Sequence, residues 1–305
     1  MSSPSHLSLI LDLTPVPWDA LSHSTPPLRL KDFLAQALVF INAHLALRNE
    51  NSVSVFGALP GRSMILYPPA GSTQVEADEN TFHVFGQVDE GFMRSVEQEV
   101  EDLQEVEEDV PPALVGALTK SLCYINRLSN PPPPSNPSEA PPPPPHSRIL
   151  LFSVSPDASV AYIPFMNCIF SAQKLKVAID VCKLDESEVI FLHQACHLTG
   201  GAFVPITQRE ALLQYLSMCF LSETETRKTL AVPTLDKVDF RAACFCHKEI
   251  VDIGYVCSVC LSIFCQPVLE CSTCRTKFSP DTLLRFGNMN LNGHAHTHSN
   301  GTVTA

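Results

Sequence analysis

The sequence predicts an α/β protein with a doubly wound, mostly parallel sheet, followed by a small cysteine-rich module. Short apolar runs alternate with segments of helical periodicity, which is the pattern of parallel strands joined by crossover helices. The apolar runs are nearly continuous, as strands that are buried on both faces require. Seven of the 12 cysteines then fall between Cys244 and Cys274, and this change in composition indicates a second domain.

The first part of the sheet domain contains three strand-like runs, at residues 6–13, 52–56 and 63–67. Residues 14–18 (TPVPW) follow the first run and are expected to form a turn, because they are rich in proline. A long amphipathic helix is predicted over 28–47, where apolar residues recur at helical spacing: Leu30, Phe33, Leu34, Ala37, Leu38, Ile41 and Leu45.

The second part of the sheet domain continues the alternation of helices and strands. Helices are predicted at 112–128, 158–173, 186–198 and 210–221, and strands at 148–154, 176–181 and 202–206. Ligands of such sheets bind at the carboxyl ends of the strands, so Asp12 and residues 153–155 are the first candidates for a site in this domain.

Four segments lack the periodicity of a packed element. Residues 97–109 form an acidic run that is expected to be a solvated stretch, and 131–145 are proline-rich and are expected to be an extended insertion, within 130–147. Residues 223–240 suit a linker, and the tail 287–305 is expected to be disordered. These assignments place the sheet domain at 1–222 and the cysteine-rich module at 241–286.

Composition and charge disfavour several classes of partner. The 305 residues include 20 Lys and Arg against 32 Asp and Glu, and this acidic balance disfavours direct binding of nucleic acid. Polar residues interrupt the longest apolar stretches before the ~18 positions that a membrane span needs. The first 15 residues have no basic segment and no small-residue cleavage site, so they are not expected to be a secretory signal peptide. In a protein that is not exported, the cysteines are expected to be reduced thiols or metal ligands.

The strongest motif in the chain is a pair of C-x2-C knuckles, Cys257 with Cys260 and Cys271 with Cys274. Two such knuckles supply four thiolates in the tetrahedron that Zn²⁺ prefers, and a shell of four thiolates leaves no position for water. The sequence therefore predicts a structural zinc ion in this module, which is too small for a self-sufficient core.

Four further potential ligands lie in the same module: Cys244, Cys246, His247 and Cys265. With the first four they would suit a RING-type cross-brace around two zinc ions, but their spacing is irregular, and whether they form a second site stays open. Apolar residues between the ligands, such as Ile253, Val259 and Leu261, indicate a face that binds another protein.

No enzymatic constellation was found in the sequence. His193 and His197 stand four residues apart on a predicted helix, as in zinc peptidases, but Gln194 replaces the glutamate that serves as the general base. Nucleophile-elbow, Walker and dinucleotide-binding motifs are absent from the sequence. The chain is therefore expected not to be an enzyme.

Three segments carry a resemblance to a known family: residues 9–15 (LILDLTP), 194–201 (QACHLTGG) and 244–265 (CFCHKEIVDIGYVCSVCLSIFC), the last followed by CSTC. A strand that ends in Asp12 and leads into an alternating sheet resembles a von Willebrand factor A domain. With the cysteine-rich module, the chain resembles the small von Willebrand A-type subunits of general transcription factor TFIIH.

The resemblance implies that the Mg²⁺ site of metal-binding A domains is degenerate in this chain. Such domains carry D-x-S-x-S at the end of the first strand, and the matching positions here are Asp12, Thr14 and Val16, of which the last is apolar. Residues 152–155 also lack a carboxylate at the place where the family has one. Because Mg²⁺ needs an octahedral shell of oxygen ligands, no Mg²⁺ is expected near Asp12.

The resemblance further implies a non-catalytic scaffold subunit of the TFIIH core, located in the nucleus and acting in RNA polymerase II transcription initiation and nucleotide excision repair. Its partners would be other TFIIH core subunits, chiefly the second von Willebrand A-type subunit, which carries a RING-like domain. Neither nucleic acid nor a membrane is expected as a direct partner. The alternatives are a RING-like ubiquitin ligase module or another zinc-dependent adaptor, and an adhesion-type A domain that binds through Mg²⁺.

Overall fold

The structure is a computed structural model, and it describes residues 4–68, 84–101, 110–130, 143–156, 162–185, 189–227, 229–230, 241–242, 244–247 and 251–279. The chain forms two compact units, Met1–Asp239 and Phe240–Ala305. Residues 131–142 of the proline-rich run, the tail 287–305 and residues 102–109 of the acidic run lie outside the described residues.

The first unit is built on a six-stranded sheet in the order β3-β2-β1-β4-β5-β6. The strands are β1 (Ser5–Asp12), β2 (Ser52–Leu59), β3 (Arg62–Tyr67), β4 (His146–Ser153), β5 (Ala178–Lys183) and β6 (Phe203–Pro205). All neighbouring pairs are parallel except β2 and β3, which form an antiparallel edge. The predicted α/β fold with a doubly wound, mostly parallel sheet is confirmed.

The strand order reverses between β1 and β4, so the carboxyl ends of these two strands flank the topological switch point of the sheet. Every residue of β1 is buried. Leu7, Leu9 and Leu11 belong to the core cluster under helix α2 (Leu30–Leu47). On the opposite face, the Ser8 hydroxyl lies 2.7 Å from the hydroxyl of Ser121 in helix α4 (Leu114–Ser129). β1 is therefore buried on both faces, as a central strand of a sheet covered by helices on both sides requires.

Eight helices accompany the strands in the described residues of the first unit: α1 (Pro15–His23), α2 (Leu30–Leu47), α3 (Val84–Glu101), α4 (Leu114–Ser129), α5 (Tyr162–Leu175), α6 (Ile190–Thr199), α7 (Leu212–Tyr215) and α8 (Thr224–Arg227). A 3-10 turn precedes α7 and a π-helical turn, Leu216–Phe220, follows it. Leu212, Leu216 and Phe220 are fully buried at a spacing of four residues, as the prediction of one helix over 210–221 requires.

Two helices occur where the sequence was expected to be non-helical. α1 begins at Pro15, within the segment expected to be a turn, because a proline in the first turn needs no N–H partner and Trp18 and Leu21 are buried against the core. α3 extends through residues 97–101, the start of the acidic run, because Val88, Phe92 and Val96 form a buried stripe. Burial of a few apolar residues therefore overrides local composition in both helices.

Helix α2 is long and apolar enough to cross a membrane by length and composition. In the structure it is a core helix: its buried residues, which pack in the sheet domain, are Phe33, Leu34, Ala37, Phe40, Ile41, His44 and Leu45. The polar residues Lys31, Asp32 and Gln36 lie in its first two turns. The helix therefore has the amphipathic character that was predicted over 28–47.

A buried carboxylate fastens α8 to the sheet. Asp180 on β5 is fully buried and forms a bidentate ion pair with Arg227, at 2.6 and 2.8 Å. Arg148 on β4 is also buried and donates hydrogen bonds to the carbonyl groups of Leu221 and Ser222. Residues 223–240 were expected to be a linker, and their described part begins with this anchored helical turn. The domain boundaries stay predictions.

The described part of the second unit contains one antiparallel hairpin, β7 (Tyr255–Val256) and β8 (Ile263–Phe264). Its small core consists of Cys257, Phe264 and Cys271, with Phe245, Val268 and Phe278 packed against them. Phe264, which is also one of the apolar residues between the ligands, does not belong to an exposed face, because it is buried in this core.

Candidate metal centres

The two C-x2-C knuckles converge in the structure. The four sulfur atoms of Cys257, Cys260, Cys271 and Cys274 lie within 4.8 Å of one another. Two sulfur–sulfur distances across the cluster are 3.7 Å, between Cys257 and Cys274, and 3.5 Å, between Cys260 and Cys271. A tetrahedral zinc ion with Zn–S bonds of about 2.3 Å has S···S edges of about 3.8 Å, so the cluster has the size of a zinc site.

The backbone of the two knuckles follows the same local pattern. The N–H of Leu261 donates to the carbonyl of Cys257, and the N–H of Arg275 donates to the carbonyl of Cys271. Leu261 and Arg275, which directly follow the second cysteine of each knuckle, both have a left-handed backbone, with φ of 62° and 60°. This turn directs both sulfur atoms of a knuckle to the same side, at a conformational cost for residues other than glycine.

The thiolate form is favoured at one of these ligands. Burial would raise the pKa of the Cys271 thiol, but N–H groups of Cys274 and Thr273 donate to its sulfur and lower the pKa to about 6. Because zinc binds the thiolate, the knuckle favours the form of cysteine that binds metal.

The four remaining candidate ligands also converge. The sulfur atoms of Cys244, Cys246 and Cys265 and the Nδ1 atom of His247 lie within 4.8 Å of one another. Two distances within the cluster are 3.3 Å, between Cys265 Sγ and His247 Nδ1, and 3.4 Å, between the sulfur atoms of Cys246 and Cys265. The irregular spacing of these residues in the sequence therefore does not prevent them from meeting in space.

Asp12 lies at the carboxyl end of β1, as predicted, and it is buried and fully engaged by the protein. Its Oδ1 accepts hydrogen bonds from the backbone N–H and the hydroxyl of Thr14, at 3.2 and 2.6 Å. Its Oδ2 accepts from the backbone N–H groups of Val154 and Ser155, at 3.2 and 2.9 Å. The carboxylate thus joins the ends of β1 and β4 through four internal donors.

A buried ammonium group lies at the same turn, and sequence reasoning missed it. Lys183 at the end of β5 is 1% exposed, and its Nζ donates to the carbonyl of Ser155 at 2.7 Å and forms an ion pair with Asp185. The protein therefore supplies its own cation where the strand ends converge. Only the position of Lys183 at a strand end could have indicated this role.

The histidine pair of helix α6 has the ordinary character that was expected from the sequence. His193 is half-buried and its ring packs edge-on against Phe203, with the ring centroids 3.9 Å apart, while His197 is exposed. The helix ends at Gly200, whose φ of 73° forms a left-handed C-cap. Within the described residues, only the two cysteine-containing clusters bring three or more His, Cys, Asp or Glu side chains close enough to hold one metal ion.

Comparisons with known proteins agree with this arrangement. A family described as "Transcription factor Tfb4" matches residues 4–275, a span that includes the sheet and both ligand clusters. The chain is 39% identical over 287 residues to the Schizosaccharomyces pombe "General transcription and DNA repair factor IIH subunit tfb4", covering 92% of this chain and 91% of that protein. It is 41% identical over 286 residues to the Dictyostelium discoideum "General transcription factor IIH subunit 3", covering 89% of this chain and 73% of that protein.

A solved structure matches the first unit. The crystal structure of the TFIIH p34 N-terminal domain superposes with a TM-score of 0.59 at 34% sequence identity, covering 70% of this chain and 96% of that one. The similarity in structure therefore extends over most of the sheet domain.

Proposed function

The chain belongs to the Tfb4 family of transcription factors, and we propose that it is a non-catalytic scaffold subunit of the TFIIH core complex. In this role it acts in RNA polymerase II transcription initiation and nucleotide excision repair, and it is located in the nucleus. The printed names of its relatives support the assignment, since they are subunits of a general transcription and DNA repair factor.

The observation that carries the proposal is that neither Asp12 nor the Cys257 cluster offers a vacant position for chemistry. All four hydrogen bonds to the Asp12 carboxylate come from the protein itself, and the position of the second hydroxyl ligand is taken by Val16, whose side chain is 59% exposed. A zinc ion held by four thiolates would have no coordination position for water or substrate. Such a chain is suited to binding other proteins through its surface.

The residues Cys257, Cys260, Cys271 and Cys274 would hold a structural zinc ion. Three features of the site support this metal. The four donors are soft sulfur atoms, their spacing is close to that of a tetrahedron, and an N–H group donates to the sulfur of Cys271. The ion would supply much of the folding free energy of the second unit, in which only four apolar or sulfur-bearing side chains are buried among the described residues: Cys244, Cys257, Phe264 and Cys271. No Mg²⁺ is proposed at Asp12.

The second unit also presents apolar side chains to solvent. The exposed fractions are 81% for Ile253, 65% for Val259, 70% for Leu261 and 64% for Leu269. A module of this size is expected to cover such residues with a partner. In keeping with the resemblance, that partner would be another TFIIH core subunit, chiefly the second von Willebrand A-type subunit with its RING-like domain.

Affinity purification of the tagged full chain from nuclear extract tests the scaffold function. Under gentle salt, the chain should elute with stoichiometric TFIIH subunits, including the one that carries a RING-like domain. Recovery of the chain as a lone monomer would contradict the proposal, as would catalytic turnover by the isolated polypeptide.

The substitution Ile253→Asp tests the docking role of the second unit. It places a charge on a side chain that is 81% exposed, so the zinc content and folding of the chain should be unchanged while retention of partner subunits decreases. Met218→Asp is the matched control, since Met218 is 73% exposed in the first unit. Equal retention by the wild type and the Ile253→Asp variant would exclude this side chain from the interface.

A RING-like ubiquitin ligase is the second candidate function. The ligands of the two clusters alternate along the chain, since Cys257 and Cys260 stand between His247 and Cys265 of the other cluster, and this order favours a RING-like module. The second unit would then accelerate the discharge of ubiquitin from a conjugating enzyme. We expect no discharge above the background rate, and an acceleration that is lost in Ile253→Asp would favour the ligase.

A further inference from the structure

The second ligand cluster, formed by Cys244, Cys246, His247 and Cys265, has the dimensions of a metal site. With Zn–S bonds of about 2.3 Å and a Zn–N bond of about 2.0 Å, a tetrahedral ion has S···N edges of about 3.5 Å. The Nδ1 atom of His247 lies 3.3 Å from the sulfur of Cys265 and 3.9 Å from that of Cys244. These distances bracket the ideal edge.

The same cluster is not a disulfide pair. The sulfur atoms of Cys246 and Cys265 are 3.4 Å apart, whereas a disulfide bond is about 2.05 Å long. The three cysteines and the one histidine each contribute one donor atom to a common centre, which a pairwise bond would not require. A tetrahedral ion explains the convergence of all four donors.

The backbone brings the cluster together through the hairpin. The N–H of Phe245 donates to the carbonyl of Ile263 at 2.7 Å, so the segment with Cys244 and Cys246 lies alongside β8. Cys265 directly follows β8 and is held beside that segment. On the other strand, Cys257 directly follows β7, and its N–H donates to the carbonyl of Ser262.

The two clusters therefore alternate along the chain. Cys244, Cys246 and His247 come first, the knuckle of Cys257 and Cys260 belongs to the other cluster, Cys265 returns to the first one, and the knuckle of Cys271 and Cys274 comes last. Each strand of the hairpin ends at a ligand of a different cluster, so that the hairpin is fastened on both sides.

We propose that Cys244, Cys246, His247 and Cys265 bind a second structural zinc ion, with His247 coordinating through Nδ1. The shell of three thiolates and one imidazole is complete, so this ion has no catalytic position. With both clusters loaded, the segment that carries Ile253 and Val256 is held by zinc ligands at both of its ends. The second ion then orders an apolar segment that the first ion alone would hold at one end.

Zinc stoichiometry of the purified full chain, measured by native mass spectrometry, tests the proposal. The wild type should carry two zinc ions and Cys246→Ser one, while His247→Cys should retain two because thiolate replaces imidazole in the shell. Cys123→Ser is the matched control with two ions, since Cys123 is an exposed cysteine on α4. A wild type with one ion, or Cys246→Ser with two, would overturn the proposal.

Cobalt substitution keeps the proposal testable if Cys246→Ser fails to fold. In the cobalt-loaded full chain, His247→Cys should move the ligand-field absorption to lower energy, because a thiolate is a weaker-field ligand than an imidazole. An unchanged spectrum would mean that His247 is not a ligand.

The variant Cys271→Ser separates this inference from the proposed function. The wild type could bind a single zinc ion that is lost in Cys271→Ser but retained in Cys246→Ser. That result would overturn the site at Cys244, Cys246, His247 and Cys265 and leave the site of the two knuckles intact. A wild type without any zinc would remove both.

Discussion

At the residue scale, the buried carboxylate of Asp12 shows how one side chain can change its role within an unchanged fold. It accepts four hydrogen bonds from the ends of β1 and β4, and the ammonium of Lys183 binds the same turn. A carboxylate in a cation site must leave lone pairs for the ion, whereas this one uses them to join two strands. Asp12 is therefore assigned a structural role.

The substitution Asp12→Asn should destabilise the sheet domain by about 1–3 kcal/mol, because the amide nitrogen cannot accept hydrogen bonds from the N–H groups of Val154 and Ser155. Urea unfolding followed by the fluorescence of Trp18, the single tryptophan, measures this loss. Asp19→Asn, at an exposed position on α1, should change little. An Asp12→Asn variant as stable as the wild type, or a wild type that millimolar Mg²⁺ stabilises, would contradict the structural role.

A second buried polar group makes stability depend on pH. Burial, and secondarily the nearby His44, lowers the pKa of His6 to about 3. The ring of His6 lies between the hydroxyls of Ser52 and Ser54, at 2.8 and 3.1 Å. Below pH 6.5 the unfolded chain binds a proton at His6 and the folded chain does not, so stability is complete above pH 6.5 and decreases as the pH falls toward the folded pKa.

Between pH 6.5 and pH 5, His6 should therefore cost the fold about 2 kcal/mol of its unfolding free energy. The His6→Gln variant has no titrating ring at this position. Its free energy of unfolding should therefore fall by about 2 kcal/mol less than that of the wild type between pH 6.5 and pH 5, as measured by Trp18 fluorescence in urea unfolding. His44, whose pKa burial lowers to about 4, contributes equally in both proteins. Identical pH dependence of the two proteins would mean that His6 is protonated in the folded state.

At the residue scale, the sequence singled out Asp12 and the four knuckle cysteines, and the structure brings the four sulfur atoms together, while the zinc ion itself stays a prediction. Asp12 could be found because it ends a strand-like apolar run, and the four cysteines because the paired C-x2-C spacing is specific. The roles of Lys183 and of the hydrogen bonds between the His6 ring and the hydroxyls of Ser52 and Ser54 could not be predicted from the sequence. Their roles depend on which groups of neighbouring strands face them, and register is not visible in composition.

At the element scale, the strands and long helices follow hydrophobic periodicity, while the helices at Pro15–His23 and Val84–Glu101 depend on tertiary packing. Among the α3 residues whose side chains the structure describes, only Val88, Phe92 and Val96 are buried, and the polar residues between them concealed the pattern. Three buried side chains at a spacing of four residues are sufficient to stabilise this helix, because the rest of the domain provides an apolar surface for them to cover.

The close packing of α6 on β5 gives a test at this scale. A Cβ atom at Gly201 would lie 1.9 Å from the carbonyl oxygen of Ile179, a contact that only backbone movement can relieve. Gly201→Ala should therefore destabilise the sheet domain by more than about 2 kcal/mol in urea unfolding. The matched control is Gly86→Ala on α3, where nothing lies within 4 Å and alanine should raise helix stability by up to about 1 kcal/mol. Equal effects of the two substitutions would contradict the packing described at Gly201.

At the scale of the whole molecule, two units stabilise themselves by different means. The sheet domain has a large core in which Asp12, Lys183 and the Asp180–Arg227 pair are satisfied internally. The second unit has a small core, two convergent ligand clusters and exposed apolar side chains. The two units and the family could be predicted from sequence, but the convergence of the second cluster could not, because the C-x-C-H spacing by itself does not specify which residues across the hairpin complete the shell.

The most direct test of this account is hydrogen exchange of the full chain, measured by mass spectrometry before and after saturation with a strong zinc chelator. Backbone amides of residues 255–278 should lose their protection when zinc is removed, while those of β1 and β4 should exchange as slowly as before. Protection of the hairpin that persists in the chelator would contradict the claim that zinc folds the second unit. Loss of protection in β1 and β4 together with the hairpin would contradict the claim that the sheet domain needs no bound metal.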